Sequence, residues 1–168
     1  MKTDPAADPV TIVEADLGLP AHQDAVLEMT DAYSRDAFGD GKPLDPGVKA
    51  RLIAGLREHP GTMILLAFEG GRPIGIATCF IGFSTFAARR LLNIHDLVVV
   101  PGSRGKGVGR SLLRAAEARA RELGCCKLTL EVLGGNERAL RAYRSFGFAP
   151  YVLQEDAGEA MFMTKPLR

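Results

Sequence analysis

Asn93-Ile-His-Asp-Leu-Val-Val-Val-Pro-Gly-Ser-Arg-Gly-Lys-Gly-Val-Gly-Arg-Ser111 decides how the rest of the chain is read. Its apolar, β-branched run from Leu97 to Val100 predicts a buried strand. Pro101-Gly102 ends that strand, and Arg104 to Gly109 predicts a glycine-rich loop opening a helix. Glycines at 105, 107 and 109 leave no Cβ between the backbone and a ligand. A helix amino terminus carries unpaired N–H groups and the positive end of its dipole, so such a loop is a seat for phosphate oxygens. Arg104, Lys106 and Arg110 add positive charge around it. Two familiar phosphate loops are excluded by spelling. A Walker loop from Gly102 needs a lysine and a hydroxyl residue directly after Gly107, where Val108 and Gly109 stand, and a dinucleotide fingerprint from Gly105 needs a glycine where Arg110 stands.

The remaining pattern, Arg104-Gly-x-Gly-x-Gly109, resembles the coenzyme A pyrophosphate loop of the GNAT superfamily of N-acetyltransferases. Downstream lie a strand-like run, Lys127 to Val132, and Asn136-Glu-Arg-Ala-Leu-Arg-Ala-Tyr143-Arg-Ser-Phe-Gly-Phe148. This second segment resembles the superfamily's Asn-x-x-Ala-x-x-x-Tyr-x-x-x-Gly-Phe motif, which forms a helix and strand beside the coenzyme. The resemblance spans Leu65 to Phe148. It implies acetyl-CoA as co-substrate and no metal. It also implies coenzyme contacts from Val98, Val99 and Val100 through their main chain, from Arg104, Gly105, Lys106, Gly107, Val108, Gly109, Arg110 and Ser111, and from Asn136, Ala139 and Tyr143.

Composition agrees with one soluble globular domain. The 168 residues are 46% hydrophobic and 24% charged, as expected of a globule rather than a disordered chain. No apolar run approaches the ~20 residues of a membrane span. Residues 1–9 read as a loose leader without targeting character, and residues 10–168 as one domain. Three cysteines, two of them adjacent, form neither a disulfide framework nor a metal set, which predicts a cytoplasmic protein. The net charge of +1 hides an asymmetry: residues 1–45 carry ten acids and three bases, a net of −7, leaving +8 for the rest. That basic remainder suits an anionic coenzyme. It lacks the dense basic run with interleaved aromatics that nucleic acid would call for.

Taken in order, Val10–Glu14 predicts a short strand, Pro20–Phe38 and Pro46–Glu58 two helices, and Thr62–Phe68 and Pro73–Phe83 a hairpin turning at Glu69–Arg72. Ser84–Leu92 reads as a loop. Gly107–Leu123 is a firm amphipathic helix closed by Gly124. Tyr151–Gln154 and Ala160–Lys165 read as a final hairpin. The expected fold is α+β: a GNAT-like mixed sheet of about seven strands with about four helices. Its first half is antiparallel, a right-handed parallel crossover spans 97–132, and the strands on either side of that crossover splay apart around the acyl arm.

Acetyl transfer to an amine needs a neutral nucleophile, stabilisation of a tetrahedral oxyanion and a proton for the departing thiolate. The resemblance implies Tyr143 as general acid. Period-two alternation places Asn93, His95, Leu97 and Val99 on one strand face and Asp96 on the other. Some superfamily members, arylalkylamine acetyltransferases among them, carry His-x-His-x-Leu here, and His95 matches the second histidine. That makes His95 the base acting through water, with Asp96 as the fallback; a hydrogen-bonded core histidine is the other reading. On the acceptor side the resemblance points to the early helices and the loop before the Asn93 strand, with Tyr33, Asp36, Phe38, Phe83, Ser84 and Thr85. Acids and aromatics there suit a cationic acceptor, a small amine or a lysine-containing peptide; a solvated acidic helix face is the alternative. The rival function is a non-catalytic acyl-CoA-binding sensor. Families of this kind commonly form homodimers, and no interface is legible.

Overall fold

Thr62–Glu69 forms a strand whose central residues, Met63 to Ala67, are all buried, which is why this run is apolar without alternation: both of its faces are covered. The computed structural model describes residues 8–152, 158 and 160–167, and the chain divides into two units between Leu130 and Glu131. The first unit runs β1 (Thr11–Glu14), α1 (Pro20–Ser34), α2 (Pro46–Glu58), β2 (Thr62–Glu69), β3 (Arg72–Ser84), β4 (Arg89–Val99), a short 3-10 turn (Pro101–Ser103), α3 (Val108–Glu122) and β5 (Leu128–Leu130). The strands lie side by side in chain order, β1 to β4 antiparallel and β4–β5 parallel. The second unit holds α4 (Glu137–Phe146). This is the expected α+β architecture, with four α-helices among the described residues and a mixed sheet.

Each sheet face has its own helices. Ala25, Val26 and Met29 of α1 and Leu56 of α2 pack with Ile64, Leu66, Ile76 and Val98. On the opposite face α3 presses so closely that a Cβ built on Gly75 would stand 3.2 Å from Leu112 and 3.4 Å from Val108. The helix ends follow local chemistry. Asp45 caps α2 by accepting from the N–H of Gly47 and Val48. Helix α1 stops at Ser34, short of the expected Phe38, because the Asp36 carboxylate takes the Phe38 N–H at 3.0 Å and the backbone turns out of the helix.

Three expectations change. Residues 89–92 belong to β4 rather than to a loop, and only 85–88 remain as the hairpin turn. Parallel pairing joins Leu92–Ile94 to Leu128–Leu130, not the Leu97–Val100 run. A helix of fifteen residues returns the chain by about 22 Å, the length of roughly seven strand residues, so β5 begins opposite Leu92. The sheet among the described residues has five strands rather than seven. Of the expected final hairpin, Val152 makes an isolated bridge, residues 160–165 are not a strand, and Leu153 and Gln154 lie outside the described residues. The Ala160 N–H donates to the Tyr151 carbonyl at 3.3 Å.

Candidate functional site

Strand β4 changes phase in its middle. Ile94 pairs with Cys79 and Asp96 with Thr78, the adjacent residue on β3, so His95 is the extra residue of a β-bulge. Cross-strand partners share a face. Asn93, opposite Phe80, and Asp96, opposite Thr78, therefore lie on the face covered by α1 and α2, whereas Leu97 and Val99, opposite Ala77 and Gly75, lie on the α3 face. Simple alternation had grouped Asn93 and His95 with Leu97 and Val99, and had put Asp96 on the other face; the bulge overturns that grouping. The His95 ring meets the edge of Phe80 at 5.4 Å, and Phe80 in turn meets His59 at 4.9 Å. Asn93 donates from its side-chain amide to the Thr129 hydroxyl at 3.2 Å, tying β4 to β5 just before the pair ends.

Past Ile94, β5 has no further rung, so the edge of β4 is open from His95 to Val99 within this unit. Which backbone groups face that opening follows from one bond. Val100 N–H donates to the Ile74 carbonyl at 2.9 Å, toward β3. Because neighbouring peptide groups point to opposite sides, the Val99 N–H and C=O face the opening, and those of Leu97 do the same. Val98 and Val100 face β3, and the Val100 carbonyl accepts from Ser103. Of the three valines, Val99 alone turns its N–H toward the opening, and Leu97, which the sequence reading left out, does so as well.

Immediately beyond, Gly105 and Gly107 adopt φ of 79° and 84° with open space where a Cβ would stand. These left-handed conformations favour glycine. Gly107 is the N-cap of α3, whose first turn has no side-chain cap and no acidic residue. The N–H groups of Val108 and Gly109 stand at the start of that turn, where the helix itself offers no acceptor, while Ser111 N–H is already bonded to the Gly107 carbonyl. An anion fits this cradle by both geometry and dipole. Gly109 differs from the other two: its missing Cβ would face Leu97 and Val99 at 3.8 Å, toward the sheet and not into the seat. Lys106 is exposed.

Arg104 is not simply a charge beside the seat. Its Nε donates to the Val99 carbonyl at 2.7 Å, and a terminal nitrogen pairs with the Asp36 carboxylate. The structure thus brings Asp36, Arg104 and Val99 together. It also places Tyr33 near two carboxylates: burial foremost, then the charges of Asp96 and Asp36, push the Tyr33 phenol above its usual range. Phe38 follows on the same turn. Phe83, Ser84 and Thr85 are elsewhere. Phe83 pairs with Arg90, roughly 16 Å of strand from His95; it is 62% exposed, and the Ser84 hydroxyl accepts from Ala87 within its own turn. Cys79 is fully buried and its thiol is pushed up to about 12, by burial and then by Asp96, which removes it as a nucleophile.

In the second unit the Asn136 side chain caps α4 by accepting from Ala139 N–H at 3.1 Å. Gly147 closes the helix at φ 107°, and Phe148 folds back so that its ring meets the edge of Tyr143 at 5.9 Å. No group of three metal-ligating side chains exists among the described residues, and no helix among them is long and apolar enough to cross a membrane.

Residues 25–148 match the Acetyltransferase (GNAT) family. The uncharacterized N-acetyltransferase YhfO of Bacillus subtilis is 37% identical over 112 residues, 67% of this chain and 71% of that protein. Streptothricin acetyltransferase of Streptomyces lavendulae is 49% identical over 70 residues, 42% of this chain and 37% of that enzyme. Among solved structures, aminoglycoside N-acetyltransferase AAC(6')-Iy in complex with CoA superposes with a TM-score of 0.73 at 14% identity, over 98% of this chain and 100% of the other. At that identity the likeness is one of fold.

Proposed function

The chain belongs to the GNAT acetyltransferase family, and from that premise we propose that it transfers the acetyl group of acetyl-CoA to a primary amine by direct attack in a ternary complex. The observation that carries the reading is the junction of β4 with α3. There an open strand edge, with the N–H groups of Leu97 and Val99 facing outward, runs into a glycine-built helix amino terminus suited to phosphate. Acetyl-CoA, the co-substrate of this family, supplies an acyl group on a thiolate leaving group.

The protein's residues then divide the work. The edge N–H groups hold the acyl arm and stabilise the oxyanion as the amine nitrogen bonds to the carbonyl carbon. His95, with Asp96 as the fallback, takes the amine's proton through water. Tyr143 gives its hydroxyl proton to the sulfur as the carbon–sulfur bond breaks. Acetylated amine and free thiol are the products. Cationic acceptors are favoured by the carboxylate of Asp96 near Tyr33. The names of two similar proteins, streptothricin acetyltransferase and an aminoglycoside N-acetyltransferase, fit such an acceptor.

The test is release of free thiol from acetyl-CoA in the presence of small amines and lysine peptides, beside Tyr143→Phe. Amine-dependent release that falls at least ~100-fold in the variant, with coenzyme still bound, supports the reading. Tight acetyl-CoA binding with no amine-dependent release from either protein would instead identify a non-catalytic acyl-CoA sensor.

A further inference from the structure

The Asp36–Arg104 pair joins two parts of the first unit that are 68 residues apart in sequence. Both partners are largely shielded, with side chains 14% and 24% exposed. Asp36 is held before it pairs. One carboxylate oxygen accepts the Phe38 N–H; Asp36 N–H donates to the Tyr33 carbonyl and Gly39 N–H to the Asp36 carbonyl. The turn is so tight that a Cβ on Gly39 would come within 2.1 Å of the Tyr33 carbonyl oxygen. The same segment is tied behind by Ser34 to the Lys42 carbonyl and by Asp31 to Leu44 N–H. Asp36 is therefore a pre-positioned anion at the end of α1.

Arg104 is equally committed. Its Nε covers the Val99 carbonyl, one of the acceptor groups on the open edge of β4, and leaves the Val99 N–H facing outward beside it. A guanidinium can serve both partners because its planar fork carries several donors in fixed directions; a lysine ammonium cannot.

We propose that Arg104 is a positioning residue rather than a coenzyme phosphate ligand: through Asp36 it straps the segment 35–45 to the coenzyme strand, and so sets the acceptor wall. The part of this that concerns the acceptor rests on the proposed function; the strap itself does not. Phosphate binding is left to the backbone cradle, with Arg104 directing its charge toward the protein.

The test compares wild type with Arg104→Lys, Asp36→Asn and Asp36→Glu. CoA affinity is measured by calorimetry and amide hydrogen exchange over residues 35–45 by mass spectrometry. Expected are CoA Kd values within about threefold of wild type for all variants, exchange over 35–45 faster by about tenfold in Arg104→Lys and Asp36→Asn, and recovery toward wild type in Asp36→Glu. With the amine found in the thiol-release panel, KM rises about tenfold while kcat stays within about twofold, the pattern of a lost binding contact. An Arg104→Lys protein that loses CoA affinity about tenfold while exchange over 35–45 stays unchanged would make Arg104 a phosphate ligand and overturn the proposal. If no amine reacts with wild type, the proposed function falls, and the CoA and exchange measurements still decide the strap.

Discussion

Ile94 and Asp96 stand two residues apart on β4, yet they occupy opposite faces of the sheet, because His95 between them has no partner on β3. An unbroken strand would have buried both against the same helices. The bulge instead turns Asp96 toward Tyr33, and the His95 ring meets Phe80, which puts two proton-accepting side chains beside each other at the point where the β4 edge opens. The two are separable. His95→Asn should lower kcat/KM about 100-fold, the loss expected of a missing base. Asp96→Asn should lower it less. The reverse ranking would make Asp96 the base.

Tyr33 offers a titration that reports the same neighbourhood. Its phenol lies above the ordinary range through burial first and the charges of Asp96 and Asp36 second. A raised folded-state value means that the native protein holds the proton more tightly than the unfolded chain. The associated stability is complete below the unfolded tyrosine value of about 10 and is lost as pH rises through the folded one. Phenolate absorbance should show one of the three tyrosines titrating late, and Tyr33→Phe should abolish that late phase. In Asp96→Asn the phase should move back only partway, since burial remains.

The parts of this molecule legible in its sequence are those set by local chemistry. The strand-to-helix glycine loop, the amphipathic α3 and the Asn136 cap on α4 needed only spacing and residue type. The bulge was hidden because His95 and its neighbours keep an alternating pattern of residue types, and a register slip is a property of two strands rather than one. The Arg104–Asp36 pair was hidden for a similar reason. Each residue was singled out, one as a coenzyme charge and the other as an acceptor group, but nothing in spacing shows that a turn after α1 brings them together. Which of Val98, Val99 and Val100 turns its N–H outward was not legible, because the direction of a peptide group depends on the neighbouring strand, here through the Val100 bond to Ile74.

Asp31 predicts the acid behaviour of the acceptor-side segment. It pairs with Lys49 at 2.9 Å and Arg35 at 2.8 Å and accepts the Leu44 N–H at 2.9 Å; these partners, Lys49 foremost, hold its carboxyl well below the usual carboxylate range. With the folded-state value depressed, the stabilisation is present above the unfolded value of about 4 and disappears as pH falls from there through the folded one. Thermal unfolding should therefore show Asp31→Asn less stable than wild type at neutral pH, with the difference closing in acid. Added salt should narrow it too, since the lysine and arginine partners are partly exposed. A difference constant from pH 7 to pH 3 would show that the pairs contribute nothing through charge.

The glycines of the phosphate loop should behave differently from one another. Gly105 and Gly107 need a left-handed backbone, so alanine at either should cost about 1 kcal/mol of stability. Alanine there also tends to pull the loop away from the conformation that aims the α3 amides outward, so CoA affinity should fall with it. Gly109 is helical, and the space its Cβ would enter lies at ordinary contact distance from Leu97 and Val99. Replacing a helical glycine by alanine gains about 0.5–1 kcal/mol, so Gly109→Ala should raise the unfolding midpoint and leave CoA affinity within about threefold. Calorimetry with CoA on the three single variants checks this. Equal losses of affinity at all three positions would mean that the coenzyme approaches the backbone at residue 109 as closely as at 105 and 107, and that the seat extends into the first turn of α3.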